Sequence, residues 1–222
     1  MKLAWSPERA SKAYIDTVQA CVVSRESGVA EFISAMAAGW NSQLIVETWS
    51  QGGAMATSVG LAVARSHTCG RHVCVVPDER AGSEYAERMG EAGVAAAEVV
   101  VGEAEEVMEG LVGVEFLVVD GGRRDFPRVV RLAKLSSKGA VLVCKNACSA
   151  SNKGLVWRSL VAQAQAQARG SRRVVRSVFL PVGKGLDMAH VSASSASAVN
   201  PSPHRWIKHV DQQSGDVHFI RT

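Results

Sequence analysis

Three kinds of pattern are absent from this sequence or occur in it sparingly. Aromatic residues make up 5% of the 222 residues, and the tryptophans do not alternate with basic residues, so a stacking platform for nucleic acid is not expected. The five cysteines are odd in number and lack metal-finger spacing, which argues against a disulfide framework or a structural zinc site. No run approaches the ~20 apolar residues that a membrane-spanning helix needs.

The charge and the first residues indicate where the protein works. The stretch MKLAWSPERASKAYIDT contains acids and no long apolar core, so it resembles neither a signal peptide nor a transit peptide. The formal net charge of +4 permits an anionic ligand but falls short of the charge of a committed nucleic-acid-binding protein. We therefore expect a cytoplasmic protein with reduced cysteines and with neither a membrane nor a nucleic acid as partner.

Basic residues nevertheless cluster in two stretches. They form either a solvated face or a surface that attracts a phosphate-bearing molecule, and the solvated face is the more ordinary interpretation. The residues are Arg123, Arg124, Arg128, Arg131, Lys134, Arg169, Arg172, Arg173 and Arg176.

The sequence does contain a regular alternation of apolar strands with helices. Strands are predicted within residues 44–46, 72–76, 97–102, 114–120 and 140–146, and helices within residues 6–19, 28–40, 54–64, 83–93, 104–111 and 125–139. Continuous apolar strands alternating with helices indicate a parallel sheet that is covered on both faces. The 47% of hydrophobic residues suffices for the core of one domain.

The C-terminal part, from about residue 161 onwards, does not continue the regular alternation of strands and helices. The stretch VAQAQAQAR fits either an exposed helix end or a disordered insertion. Residues 177–191, SVFLPVGKGLDMAHV, predict a hairpin that adds an antiparallel edge to the sheet. We expect one domain over residues 1–191, a linker over 192–203, and a hairpin appendage over 204–222 that docks on the main domain because it is too small to be stable alone.

Four segments carry a resemblance to a known family. They are LIVETWSQGGAMATS, VVVGEAEEVMEGL, FLVVDGGRRDF with GAVLVCKN, and SVFLPVGKGLDMAHV. The chain resembles the class I S-adenosylmethionine-dependent methyltransferases, closest to the caffeoyl-CoA type of plant O-methyltransferase, and looks like a member of an uncharacterised plant family related to them. The resemblance implies a Rossmann-like α/β fold of about seven strands, mostly parallel, with an antiparallel edge hairpin.

The resemblance implies a cofactor loop after the first strand. Glu47 matches an acid near the amino end of S-adenosylmethionine, and Gly53 matches a glycine that lets the backbone approach the cofactor. Trp49 stands where an earlier glycine is expected. On the residues alone, Glu47 could equally be a capped strand-end carboxylate, and Gly52 with Gly53 an ordinary turn.

The resemblance also assigns the ribose and adenine ends of the cofactor. Val76 stands where an acid would bind the ribose hydroxyls, so Asp78 or Glu79 could substitute if the loop turns back. Glu103 is placed for the adenine end. The alternatives are solvated loop acids for the first two residues and a helix-start acid for Glu103.

The fourth and fifth strand ends match the catalytic site of the resembled family, with two changes. Asp120 and Asn146 match ligands of a divalent cation, but Gly122 replaces a second acid and Lys145 replaces an aspartate. Exchanging carboxylates for an ammonium group weakens a hard-cation site, so we expect no metal. Lys145 could form an ion pair with Asp120, attract an anionic substrate, act as a base, or simply reach solvent.

Two functions stay open on the sequence. The first is a methyltransferase that uses S-adenosylmethionine on a small anionic or hydroxylated acceptor over Asp120, Lys145 and Asn146. The second is a non-catalytic relative that uses the same cleft or its basic face for binding or regulation. Assembly as a homodimer is left open as well.

Overall fold

The computed structural model of the protein describes residues 5–21, 28–147, 156–166, 172–193, 206–210 and 217–221. In these ranges the helices are α1 (Pro7–Ala20), α2 (Val29–Gly39), α3 (Ala56–Thr68), α4 (Glu79–Glu91), α5 (Ala104–Gly110), α6 (Phe126–Leu132) and α7 (Val156–Ala166). The strands are β1 (Leu44–Thr48), β2 (Arg71–Val76), β3 (Glu98–Val101), β4 (Val112–Val114), β5 (Phe116–Asp120), β6 (Lys134–Leu135), β7 (Ala140–Lys145), β8 (Val174–Leu180), β9 (Leu186–Val191), β10 (Trp206–Val210) and β11 (Val217–Arg221).

Local sequence explains where individual helices begin. Ser6 Oγ accepts a hydrogen bond from the Arg9 backbone N–H at 3.4 Å, and Pro7 occupies the first helical position of α1. A proline is well placed there because its missing N–H would have had no partner within the helix. Helix α4 begins in the same way, because the Asp78 carboxylate accepts from the backbone N–H of Ala81 at 2.7 Å.

Seven strands form one sheet in the order β3-β2-β1-β5-β7-β9-β8. The first five strands of this order pair in parallel, and β9 pairs antiparallel with both β7 and β8. The predicted α/β fold, with about seven strands and an antiparallel edge hairpin, is therefore confirmed. The hairpin itself lies where the sequence places it, and its turn spans residues 181–185.

Helices cover both faces of the sheet. Ile45 of β1 packs in a cluster with Ile33 of α2 and Leu61 of α3. Its neighbour Val46 belongs to a second cluster on the opposite face, with residues of α5, α6 and α7. Successive residues of a strand point to opposite faces, which explains why the central strands are apolar throughout rather than alternating.

The structure differs from the expected elements in two places. Helix α6 ends at Leu132, whereas the sequence predicts a helix as far as residue 139, because Lys134–Leu135 pairs in parallel with β4 as a small separate sheet. In the C-terminal region β10 and β11 pair antiparallel, but the linker lies outside the described residues, so the domain boundaries stay a prediction. None of the helices in the described part of the chain is long and apolar enough to cross a membrane.

Two helical glycines provide a matched test of the packing between α2 and α3. A Cβ atom at Gly60 would lie 2.6 Å from the backbone oxygen of Ala30, whereas nothing lies within 4 Å of one at Gly90. We expect Gly60→Ala to lower the free energy of unfolding by ~1–3 kcal/mol through overpacking. We expect Gly90→Ala to raise it by ~0.5–1 kcal/mol because alanine restricts the unfolded chain. Urea denaturation measures both, and equal effects of the two variants would contradict this packing.

Candidate functional site

A cleft of about 510 Å³ opens at the carboxyl ends of β1, β5 and β7. The strand order reverses here, because β2 and β3 lie on one side of β1 whereas β5 and β7 lie on the other. Such switch points are the usual ligand sites of open α/β sheets. The lining includes Val29, Gly52, Gly53, Ala54, Thr57, Asp120, Lys145, Asn146 and residues 183–185. The structure thus brings together five of the residues that the sequence singles out.

Asp120 and Asn146 form a fixed pair in the cleft. The side-chain amide of Asn146 lies 2.9 Å from both carboxylate oxygens of Asp120, and the backbone N–H of Gly122 donates to Oδ1 at 2.9 Å. Asn146 adopts φ 57, a left-handed conformation that asparagine tolerates better than most residues. The amide therefore orients the carboxylate, and lone pairs of Asp120 stay free for a ligand.

Lys145 lies beside this pair but is not bonded to it. It is the last residue of β7, opposite Asp120 of β5, and the residue is 7% exposed. Among the described residues, no carboxylate lies within ion-pairing distance of Lys145 Nζ, and no hydrogen-bond acceptor is found for it. The ion pair between Lys145 and Asp120 that the sequence allowed does not form, and Asp120 instead accepts from Asn146 and the Gly122 backbone.

Glu47 lies below the cleft and is 1% exposed. Its carboxylate accepts from Ser58 Oγ at 2.9 Å and from Tyr85 Oη at 3.0 Å, and His72 Nε2 lies 3.0 Å away. Burial alone would raise the pKa of Glu47, but the hydrogen bond and charge of His72, together with Lys145 and Ser58, lower it below its ordinary value of 4.5. Glu47 is therefore an ionised, internally satisfied carboxylate.

The partners of Glu47 are held in matching protonation states. Burial and the negative charge of Glu47 raise the pKa of Tyr85, so its phenol stays protonated and donates. An ionised carboxylate only accepts hydrogen bonds, so His72 Nε2 carries the proton that faces Glu47. Neither His72 nor Tyr85 was expected from the sequence, although a histidine inside an otherwise apolar strand is a visible signal.

Trp49 does not project into the cleft. The residue is 2% exposed and packs with residues of β2, α3 and α4. Its ring meets that of Tyr85 edge to face, with centroids 5.5 Å apart. A Cβ atom at Gly53 would lie 2.8 Å from Trp49 Nε1, so the glycine is needed to accommodate the indole. The resemblance instead implies that Gly53 lets the backbone approach a cofactor.

Helix α4 holds the loop after β1 in place. Gly52 donates its backbone N–H to Glu84 Oε1 at 3.1 Å, and Arg88 donates to the backbone oxygen of Gly53 at 2.9 Å. Gly52 adopts φ 73 with open space where a Cβ atom would lie. The loop is therefore a fixed wall of the cleft.

Asp78 and Glu103 lie at neighbouring strand ends, outside the lining of the cleft. Asp78 caps α4, and Glu103 stands at the N-terminus of α5 without making a side-chain cap. Both residues are exposed. They flank the cleft on the side of β2 and β3, which is where the resemblance assigns the ribose and adenine ends.

The sequence did not assign Val29 or Thr57 to the cleft, and it did not indicate that the turn at residues 183–185 forms part of it. The turn was predicted, but its position beside Lys145 depends on β9 pairing with β7. In the described part of the chain, no group of three or more His, Cys, Asp or Glu residues could hold a metal ion.

Several residues of the first basic stretch have partners of their own. Arg123 pairs with Asp125 at 2.6 Å, and Arg128 pairs with Glu105 at 2.6 Å. Lys134 donates to the backbone oxygen of Glu109 at 2.5 Å. These contacts support the interpretation of this stretch as a solvated face.

Solved structures share this architecture. The O-methyltransferase TomG from Streptomyces achromogenes, involved in tomaymycin synthesis and solved with S-adenosylmethionine, is 24% identical, with a TM-score of 0.53 over 86% of this chain and 92% of that chain. A Podospora anserina methyltransferase solved with S-adenosylhomocysteine is 13% identical, with a TM-score of 0.54 over 85% and 89%. A candidate caffeoyl-CoA O-methyltransferase from Staphylococcus aureus is 13% identical, with a TM-score of 0.51 over 80% and 91%.

The fold is thus the Rossmann-like fold of O-methyltransferases. The chain itself belongs to the family described as "Protein of unknown function (DUF1442)", whose profile matches residues 1–222. A comparison with curated protein sequences found no match.

The burial of Glu47 predicts a specific pH dependence of stability. Its folded-state pKa lies below its unfolded one, so its contribution is present above about pH 4.5 and is lost as the pH falls through the folded-state value. We expect Glu47→Gln to lower the free energy of unfolding at pH 7 by on the order of 3 kcal/mol, because it leaves His72 without its charged partner. The difference from wild type should shrink in acid.

Urea denaturation between pH 3 and pH 7 measures this difference. Glu87→Gln is the matched control, since Glu87 lies on the exposed side of α4, and its curve should run parallel to that of wild type. A Glu47→Gln variant with wild-type stability at pH 7 would show that the buried network contributes nothing.

Proposed function

We propose that this protein is a methyltransferase that binds S-adenosylmethionine in the cleft and acts on a small hydroxylated acceptor. The observation that carries the proposal is the convergence of Asp120, Asn146 and Lys145 with the loop after β1 at one end of the sheet. The proposal includes a closer relationship to plant O-methyltransferases of the caffeoyl-CoA type, and the four segments that carry the resemblance support it.

The residues present fit the amino-acid end of the cofactor. Helix α3 starts at Ala56 without a side-chain cap, so its first-turn N–H groups are free to bind a carboxylate. Asp120 offers a carboxylate for the cationic groups. We propose that Gly52, Gly53 and Thr57 line the cofactor, with Asp78 and Glu103 serving its ribose and adenine ends. Glu47 and Trp49 then support the loop from below.

The cofactor, when bound, supplies an electrophilic methyl group. The remaining tasks fall to the chain, which must orient the acceptor hydroxyl and remove its proton. Asp120 is the proposed proton acceptor, because Asn146 holds its carboxylate in one orientation. Lys145 supplies a fixed positive charge on the acceptor side of the cleft, where the resembled family has a metal ion.

A non-catalytic binding protein is the second candidate, and one observation favours it. All the hydrogen bonds found for the Glu47 carboxylate come from Ser58, His72 and Tyr85, so it is not available to a ligand. A relative that uses the cleft or its basic face only for binding or regulation would not need a carboxylate at the amino end of the cofactor. Binding together with the absence of product formation, over a panel of hydroxylated acceptors, would favour this candidate.

The location of the cofactor can be tested by filling the cleft. Ala54 lines it, and we expect Ala54→Phe to weaken binding of S-adenosylhomocysteine at least about tenfold in isothermal titration calorimetry. Ala86→Phe is the matched control, because Ala86 is exposed on α4 away from the cleft. Wild-type protein that fails to bind S-adenosylmethionine and S-adenosylhomocysteine would refute the proposed function.

We further expect any methyl transfer to be independent of divalent cations. Lys145 supplies positive charge where the resembled family uses a metal, so a chelator should leave the rate unchanged. Lys145→Asp combined with Gly122→Asp should create affinity for magnesium or manganese, because both substitutions restore carboxylates beside Asp120. Activity of the wild type that disappears on chelation would overturn this assignment of Lys145.

A further inference from the structure

The Lys145 ammonium group lines the cleft and makes no ion pair among the described residues. Only 7% of the residue is exposed, yet it contributes to the wall of the cleft. Glu47 is held by its own network and Asp120 accepts hydrogen bonds from Asn146, and neither forms an ion pair with Lys145. Because this ammonium group lines the cleft without a partner of its own, it can form a charge-assisted hydrogen bond with an anion that enters the cleft.

Other groups around the cleft add to the positive potential. Lys184 stands in the turn between β8 and β9, on the side of the cleft that Lys145 shares with Asn146. The uncapped N-terminus of α3 lies at the opposite wall, near Thr57. Among the described residues of the lining Asp120 is the one acid, and its carboxylate accepts hydrogen bonds from Asn146 and the Gly122 backbone. Two lysines and a helix N-terminus therefore surround a single carboxylate.

We propose that the cleft recognises a carboxylate or phosphate group of the acceptor and that Lys145 is the cation that pairs with it. The inference rests on the proposed function only in assigning the anion to the acceptor. The cofactor has a carboxylate of its own, but the free N–H groups of α3 can bind that carboxylate on the other side of the cleft. Lys145 and Lys184 then serve the second ligand.

Small aromatic probes test this recognition directly. Benzoate and phenyl phosphate carry the proposed group, and benzamide has the shape of benzoate without its charge. Each probe is titrated into ¹⁵N-labelled protein, with and without saturating S-adenosylhomocysteine, while the backbone amide signals of Asn146 and Gly185 are followed. We expect both anions to shift these signals and to bind at least about tenfold more tightly than benzamide.

Three variants separate the contributions. Lys145→Met should weaken benzoate binding at least about tenfold, whereas Lys184→Met, at an exposed position, should weaken it about two- to fivefold. Lys12→Met is the matched control, because it removes the same charge from α1, where Lys12 pairs with Glu8, and it should leave the affinity unchanged. If Lys145→Met does not fold, the inference is tested by whether the wild-type protein binds benzoate more tightly than benzamide.

The outcomes distinguish this inference from the proposed function. Equal binding of benzoate and benzamide, or unchanged affinity in Lys145→Met, would overturn the inference whether or not the cofactor binds. Displacement of benzoate by S-adenosylhomocysteine would assign Lys145 to the cofactor and would also overturn it. Binding of benzoate that depends on Lys145, in a protein that does not bind S-adenosylhomocysteine, would leave the anion site standing and remove the cofactor from the proposed function.

Discussion

The hydrogen bonds of the buried Glu47 carboxylate are the interactions on which the arrangement of the elements below the cleft depends. Glu47 lies on the central strand β1 and joins three other elements, because Ser58 belongs to α3, His72 to β2 and Tyr85 to α4. An ionised carboxylate in the interior is tolerated only when hydrogen bonds and opposite charge compensate for its lost hydration. Each of these four elements is thereby fixed relative to the others near the strand ends, which is where a binding loop must be rigid.

This constraint explains how the loop after β1 can hold a tryptophan at a position where the resembled family has a glycine. Three of these elements, α3, β2 and α4, enclose the Trp49 ring, which packs on Tyr85 and requires a glycine at position 53. The loop is then supported from below by the indole and tied from the side by Glu84 and Arg88. A loop held in this way does not need the glycine-rich backbone of the resembled family to keep a defined shape, and its upper surface remains free to form a wall.

The sequence predicts the fold well and the site only in part, for a physical reason. Continuous apolar strands and well-capped helices are local patterns, so the alternation that defines the sheet can be seen without any contact information. The identity of the cleft residues follows from the resemblance to known strand ends. The partners of Glu47 are 11, 25 and 38 residues away, and no local pattern connects them. The end of α6 was misjudged because the pairing of β6 with β4 is equally non-local.

The chemistry of the cleft follows from how its charges are distributed. A divalent cation needs several oxygen ligands that converge on one point, and it stabilises an oxyanion from that point. An ammonium group needs no such convergence, since it is fixed covalently to β7, and its burial increases its attraction for an incoming anion. Asn146 keeps Asp120 oriented without drawing Lys145 into an ion pair, so the ammonium group has no contact partner among the described residues. Under the proposed function, this arrangement gives the cleft one group to attract an anion and another to accept a proton.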